Sequence, residues 1–467
     1  MLPLVTSAWG LASFLLEAMM QRPVFLLAGV VLRSTIWAQD PISLKDAVRL
    51  ALSANTSIAA SAASNDAAAT RISQAKSGFL PKVDYAESWT RSNNPVFVFG
   101  ALLTQHQFTE QNFAIGPLNR PDFLNNFQSL VTADQTLYDA GKTKHAVRSA
   151  KLAKEMTTEE AKRTQMDVIA SVSKSYYDAQ LGADQLSATD QALRSVEADL
   201  DRAEARLAAG MATGADVLSI RVHLAGVREE RIRRSADLDV AQASLNDALG
   251  LPLDARHRLT TVLAPLPIRQ ATLAEYEQNG AESRPEAHQT RIAKQLAETA
   301  VTESRGNYLP QVSLHGAFEA DRQQFASLGG ANWLVSIGLK WNLFNGFADK
   351  AKVEESQLAL RRTSLEQERA DSAIRLQVRR AWAELRAAQQ RIESARAAEA
   401  EAEESLRISQ NRYEAGLSTV TDLLRVETAV LETKTRYLAA VHDQRIAAMM
   451  LDFAAGSLTA DSEVLNL

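Results

Sequence analysis

The chain has 467 residues, a formal net charge of −5, 46% hydrophobic residues and no cysteine. Without cysteine there is no disulfide, no thiolate catalysis, no Cys-ligated metal and no lipidated N-terminal cysteine. The mild charge, with no basic stripe, argues against a nucleic-acid partner, and the length allows two or three domains.

Residues 1–39 read as a secretory signal segment. Arg22 precedes the apolar run Val24 to Leu32, and small and turn-prone residues follow as far as Ala38. Positive flank, apolar run and small-residue cleavage region are the layout of an export signal. The run of nine residues is too short to span a bilayer as a helix. An N-terminal membrane anchor is the alternative.

From residue 40 the chain is a tandem repeat. Leu44, Leu80 and Pro81 recur as Leu273, Leu309 and Pro310, at one common offset. Ser43-x-x-Asp46 and Thr272-x-x-Glu275 both have the form of a helix capping box. Further on, Leu137-Tyr138-Asp139 recurs as Leu343-Phe344-Asn345 at a second offset, and Arg206, Gly210, Thr213 and Asp216 recur as Arg412, Gly416, Thr419 and Asp422. The offset falls from 229 to 206 between Pro81 and Leu137, so the first copy is 23 residues longer there. Each copy reads as helix, β-hairpin, long helix, glycine turn, shorter helix. The copies cover 40–250 and 271–456. A proline-bearing linker with Pro252, Pro265 and Pro267 joins them over 251–270 as a loop, and 457–467 forms a tail.

The hairpins carry strand patterning. In the first copy Val83, Tyr85 and Trp89 precede Phe127, Val131 and Leu137. In the second, Val312, Leu314 and Phe318 alternate with polar neighbours, and the run 333–343 sets Trp333, Val335, Ile337, Leu339, Trp341 and Leu343 on one face. A period of two with one apolar face describes a strand. About ten such residues cross a bilayer when the strands close into a barrel. Four strands per chain cannot close one, so a membrane reading requires oligomers, and three chains would supply twelve strands. An antiparallel sheet covering a soluble core is the alternative. The long first hairpin, with Asn93-Asn94-Pro95, Gly116-Pro117 and the apolar run Val96 to Phe99, reads as a surface loop.

Phe347 to Ala415 contains neither Pro nor Gly. Ile374, Val378, Ala381, Leu385, Ala388, Ile392 and Ala395 alternate in steps of four and three, the seam of a helix that packs lengthwise on other helices. At ~1.5 Å per residue this helix runs roughly 100 Å, so the molecule is a rod or a tube. Val168, Val172, Ala179, Gly182 and Leu186 carry the same seam in the first copy.

Both long helices break at a glycine. Gly210 and Gly416 suit the left-handed residue that closes a helix. Thr213-x-x-Asp216 and Thr419-x-x-Asp422 suit the box that starts the next one. Capping alone accounts for these residues. The functional reading, compatible with it, makes the two turns the far end of the rod, where they touch a partner or narrow a pore. The run Arg228 to Arg234 reads as a solvated helix face with local ion pairs. No phosphate loop, His-Glu-x-x-His helix or Gly-x-Ser-x-Gly elbow occurs, so neither catalysis nor a cofactor is expected.

The duplicated order, the Leu-Pro before each hairpin, Leu-Phe-Asn-Gly at 343–346 and Arg-Tyr-x-x-Gly-x-x-x-x-x-Asp-Leu-Leu at 412–424 resemble the TolC-like outer-membrane efflux family. The resemblance covers roughly 42–455. It implies a mainly α fold with a small β part: a protomer of a homotrimer with a trimeric α-barrel and a twelve-stranded transmembrane β-barrel. That places it in the outer membrane of a Gram-negative bacterium, reaching into the periplasm. The function it implies is the exit duct of a tripartite efflux system, fed by an inner-membrane pump through a periplasmic adaptor. Gly210, Thr213, Asp216, Gly416, Thr419 and Asp422 would then form the periplasmic tip that meets the adaptor, with Asp216, Asp422 and Arg425 as gate residues. The sequence departs from the family pattern at Phe347, where a second glycine is common, and at Arg425, where a second acid is common. Type I protein secretion is the runner-up within the channel class. A periplasmic coiled-coil adaptor or rod is the competing class, but it leaves the four amphipathic strands unexplained.

Overall fold

The computed structural model describes residues 41–267 and 271–465. The expected signal segment lies outside them. The elements, in order, are β1 (Pro41–Ile42), α1 (Leu44–Ala54), α2 (Thr56–Lys76), β2 (Lys82–Ser92), α3 (Pro95–Thr104), α4 (Ile115–Asn119), β3 (Leu124–Tyr138), α5 (Lys142–Ala208) and α6 (Gly214–Leu249). After them come β4 (Arg258–Leu259), α7 (Leu273–Ser283), α8 (Pro285–Gly306), β5 (Gln311–Arg322), β6 (Gly330–Lys340), α9 (Ala348–Glu414) and α10 (Val420–Ala454).

The two long helices α5 and α9 are each 67 residues, about 100 Å of rod at ~1.5 Å per residue. Every seam residue from Ile374 to Ala395 is buried. In α5, Val168, Val172 and Ala179 are buried, whereas Gly182 and Leu186 are half-buried. The alternating step of four and three turns these side chains inward against the paired helices. One continuous core lies where α1 and α7 meet α5, α9, α10 and the C-terminal segment; it includes Leu44, Val172, Tyr176, Val378, Leu385, Leu451 and Leu458.

The linker is not wholly a loop. Its β4 pairs in parallel with β1. The Tyr176 hydroxyl holds this pairing: it donates to the Ile42 carbonyl at 2.9 Å and accepts the Thr260 and Thr261 amides at 3.1 and 3.0 Å. A buried hydroxyl with three partners fixes otherwise orphaned backbone groups.

Strands β2, β3, β5 and β6 form one antiparallel sheet in that order. The alternation places Trp333, Val335, Ile337 and Leu339 on one face, and they remain exposed, Trp333 at 78%. β6 ends at Lys340, so Trp341 and Leu343 lie beyond the strand. The Trp341 indole N–H donates to the Tyr308 carbonyl instead, at 3.0 Å.

The first hairpin also departs from the expected loop. Asn94 accepts the amides of Val96 and Phe97, and Pro95 sits in the first turn, so the apolar run folds as the helix α3. The chain then lies against the sheet. Gln105 donates to Asn126 Oδ1 at 2.8 Å, and Asn332 donates to the Thr104 carbonyl at 3.2 Å.

Candidate functional site: the glycine turns and the acids above them

Both long helices end in the same way. Gly210 and Gly416 are left-handed, at φ 73° and 74°. The Met211 amide reaches the Arg206 carbonyl and the Leu417 amide reaches the Arg412 carbonyl, both at 2.8 Å. These are the long backward bonds that close a helix at a left-handed residue. The next helix then starts on a full box. Thr213 Oγ1 accepts the Asp216 amide at 3.2 Å, while Asp216 Oδ2 accepts the Thr213 amide at 3.0 Å. Thr419 and Asp422 repeat the exchange at 3.2 and 3.3 Å.

Both aspartates are therefore engaged with their own helix starts. The Thr419 hydroxyl and amide, with the Arg425 charge a smaller contributor, hold the Asp422 carboxyl below its ordinary range. Arg425 Nη2 lies 3.9 Å from Asp422 Oδ1, one helical turn on. In the single chain Arg425 thus faces its own helix's cap, and Asp216 faces Thr213.

The contact that joins the two turns is one that sequence reasoning noted only as a repeated letter. Arg206 donates to the Glu414 carbonyl at 2.8 Å and lies 5.3 Å from the centre of the Tyr413 ring. An arginine thereby neutralises the orphan carbonyls at the end of α9.

A few turns above, the helices enclose an acidic pair. Ala192, Val196, Asp199 and Ala203 fall in steps of four, three and four along α5, as do Val420, Leu424, Glu427 and Leu431 along α10. Asp199 and Glu427 thus occupy core positions, and both are buried, at 5% and 8% exposure. Asp199 is paired with Arg202. Burial, together with the facing Asp199 carboxyl, pushes Glu427 up to about 9. An acid on an apolar stripe was the available signal for this site.

The model of the outer membrane efflux protein family matches residues 47–251 and 278–457, two segments that overlap the two copies of the repeat. The chain belongs to the outer membrane efflux protein family. Two curated relatives show the extent of the likeness. Protein CyaE of Bordetella pertussis is 25% identical over 341 residues, 72% of each chain. Outer membrane protein TolC of Salmonella enteritidis is 22% identical over 457 residues, 94% of this chain and 87% of the relative. Among solved structures, the CmeC outer membrane channel of Campylobacter jejuni superposes with a TM-score of 0.75 at 14% identity, covering 90% of this chain and 87% of that one. The fold is thus that of a TolC-like channel protomer. In this outer membrane efflux protein, the glycine turns stand at the ends of α5 and α9, far along the helices from the strands. No helix among the described residues is long and apolar enough to cross a membrane.

Proposed function

We propose that three copies of this chain form the exit duct of a tripartite efflux system. Four strands from each close a twelve-stranded barrel in outer-membrane lipid, and the long helices form an α-barrel that reaches through the periplasm. The observation that carries this reading is the sheet. Among the described residues, its edge strands β2 and β6 have no partner on their outer sides, and its apolar face is bare. An open sheet in lipid leaves backbone groups unsatisfied at several kcal/mol each, and closure with neighbouring copies removes both edges.

Substrate passes through without bond chemistry. An inner-membrane pump delivers it, and a periplasmic adaptor docks at the turns around Gly210, Thr213, Asp216, Gly416, Thr419 and Asp422. Asp216, Asp422 and Arg425 act at the gate: three copies bring like charges round one axis, where Asp–Arg contacts offset their repulsion. An adaptor that binds the open arrangement better shifts the equilibrium towards it.

Negative-stain imaging of detergent-extracted protein from the outer-membrane fraction tests the assembly. Three-fold particles well over ~100 Å long are expected. Monomers in the soluble periplasm would end the reading. Conductance in planar bilayers tests the gate: Asp422→Asn and Arg425→Ala each raise leakage, and unchanged conductance in both removes these residues from it.

A further inference from the structure

A cavity of 560 Å³ opens between α5, α6 and α10, within one chain. Its walls are largely apolar, with Ala188, Ala192, Val196, Val227, Val430 and Leu431 among them. Glu427 projects into it beside Asp199, and apart from that carboxyl neither of its oxygens has a hydrogen-bond partner. Oδ2 of the facing Asp199 is likewise unsatisfied. We propose that this cavity binds a small organic cation, an amine or amidinium carried on an apolar body, with Glu427 as its counter-charge.

Among the described residues, the cations near Glu427 are already committed to other partners. On α6, His223 Nε2 is 3.9 Å from Glu427, but burial pushes its pKa down and disfavours the charged ring. On α5, Arg202 is committed to Asp199. At the rim, Arg233 and Arg234 are both paired with Glu230. On α10, Glu432 also lines the mouth, and Lys434 donates to Gln191 at 2.8 Å. An ionised Glu427 would therefore sit buried without a partner, which is costly, and it keeps its proton instead. A cationic ligand brings both the missing charge and the missing N–H donors. Its hydrocarbon body fills a cavity of the size and lining usual for small-molecule sites. A metal ion fits less well: no group of three or more metal-ligating side chains occurs among the described residues.

Because the site is built within one chain, it stands whether or not three chains form a duct. It also carries a signature that mere packing lacks. The ligand must displace the Glu427 proton, which is held up to about 9. Affinity therefore rises with pH, by about tenfold per unit below that value, and each binding event releases about one proton to the buffer.

Benzamidinium, with benzamide as its uncharged counterpart, is a suitable probe. Calorimetry on the full mature protein in detergent at pH 6.5, 7.5 and 8.5, in buffers of different ionisation enthalpy, reads both quantities. The expected result is benzamidinium binding that tightens about tenfold per pH unit with proton release, benzamide binding at least tenfold weaker at pH 8.5, and Glu427→Gln losing both the affinity and the pH slope. Absence of binding at pH 8.5, equal binding of benzamide, or a pH-independent affinity would each overturn the proposal. All three need only the unaltered protein, so they decide the matter even if the variant fails to fold.

Discussion

Helices α5 and α9 have the same length, and each ends in the same glycine turn and threonine cap, yet the two copies of the repeat diverge at three places. The first hairpin carries α3 and α4 and folds back on the sheet, whereas β5 and β6 are joined by a short turn. The strand-to-helix junction is Ala140-Gly141 in one copy and Gly346-Phe347 in the other, all four left-handed. Above the turns, Glu427 is buried, while its counterpart in the first copy is Arg221, exposed and paired with Glu204 at 2.7 Å. Duplication preserved what a long helical rod requires, namely seam, turn and cap. It left free what each copy meets on its flanks.

The hairpin difference gives the largest expected effect. A side chain at Gly330 would bring its Cβ within 2.1 Å of the Thr104 carbonyl oxygen and 2.8 Å of the Gln105 carbonyl carbon, both backbone atoms. Gly330→Val therefore forces residues 104–106 off the sheet and leaves the buried Gln105 amide without its partners. Overpacking and lost hydrogen bonds together cost about 2–5 kcal/mol. Hydrogen exchange of 104–106 and the thermal midpoint read the change. Gly100→Ala in α3 is the control, since nothing lies within 4 Å of a Cβ there. Unchanged exchange in Gly330→Val would mean that the first hairpin does not rest on the sheet.

The acid difference comes next, and its sign is fixed by linkage. Glu427 is raised from its ordinary 4.5 to about 9, so the folded chain holds a proton that the unfolded chain releases. The stability this contributes is present at low pH and is lost as pH rises through about 9. Between pH 6 and pH 8.5 the unaltered protein loses at most about 1.4 kcal/mol per unit through this group. Glu427→Gln flattens that loss, so its advantage in thermal midpoint grows with pH. Arg221→Gln, at the matching surface position, changes stability by less than ~1 kcal/mol through its exposed pair. Parallel pH profiles for Glu427→Gln and the unaltered protein would show that Glu427 is solvated.

These contrasts also mark what sequence reasoning can reach. The α9 seam, the alternation in β5 and β6 and both capping boxes were legible because each is a short-range pattern with a fixed period or spacing. The helix α3 was not, because the four-residue apolar run Val96 to Phe99 is too short to show a period and the Asn, Pro and Gly around it read as a surface loop, and only the cap at Asn94-Pro95 decides the matter. Pairings between distant residues escaped altogether. Glu87 stands on the face of β2 that carries Val83, Tyr85 and Trp89, and Arg322 and Ser129 satisfy it from β5 and β3. Arg206 bridges to the Glu414 carbonyl in the same way. A single charged letter shows that a partner is needed, not which element brings it. The linker strand β4 was hidden for a related reason, since it exists only through β1 and Tyr176.

The junction difference is the smallest and the cleanest. Gly141 and Phe347 occupy matching positions and both are left-handed, at φ 83° and 66°. A side chain in that conformation costs about 1–2 kcal/mol, which glycine avoids. Phe347 endures it while packing edge-on against Phe344 at 5.4 Å, a contact that offsets about 0.5–1.5 kcal/mol. Replacing Phe347 by glycine therefore exchanges one effect for the other and leaves stability nearly level. Replacing it by alanine removes the ring and keeps the strain. Glycine at 347 should then exceed alanine by about 1 kcal/mol, the reverse of the order inside a helix. In the first copy Gly141→Ala should cost a similar amount, since its Cβ meets only the His145 ring at 3.4 Å. Denaturant midpoints of the three variants measure both differences. If alanine at 347 matches or exceeds glycine, the second copy enters its long helix by another backbone path, and the likeness of the two junctions fails there.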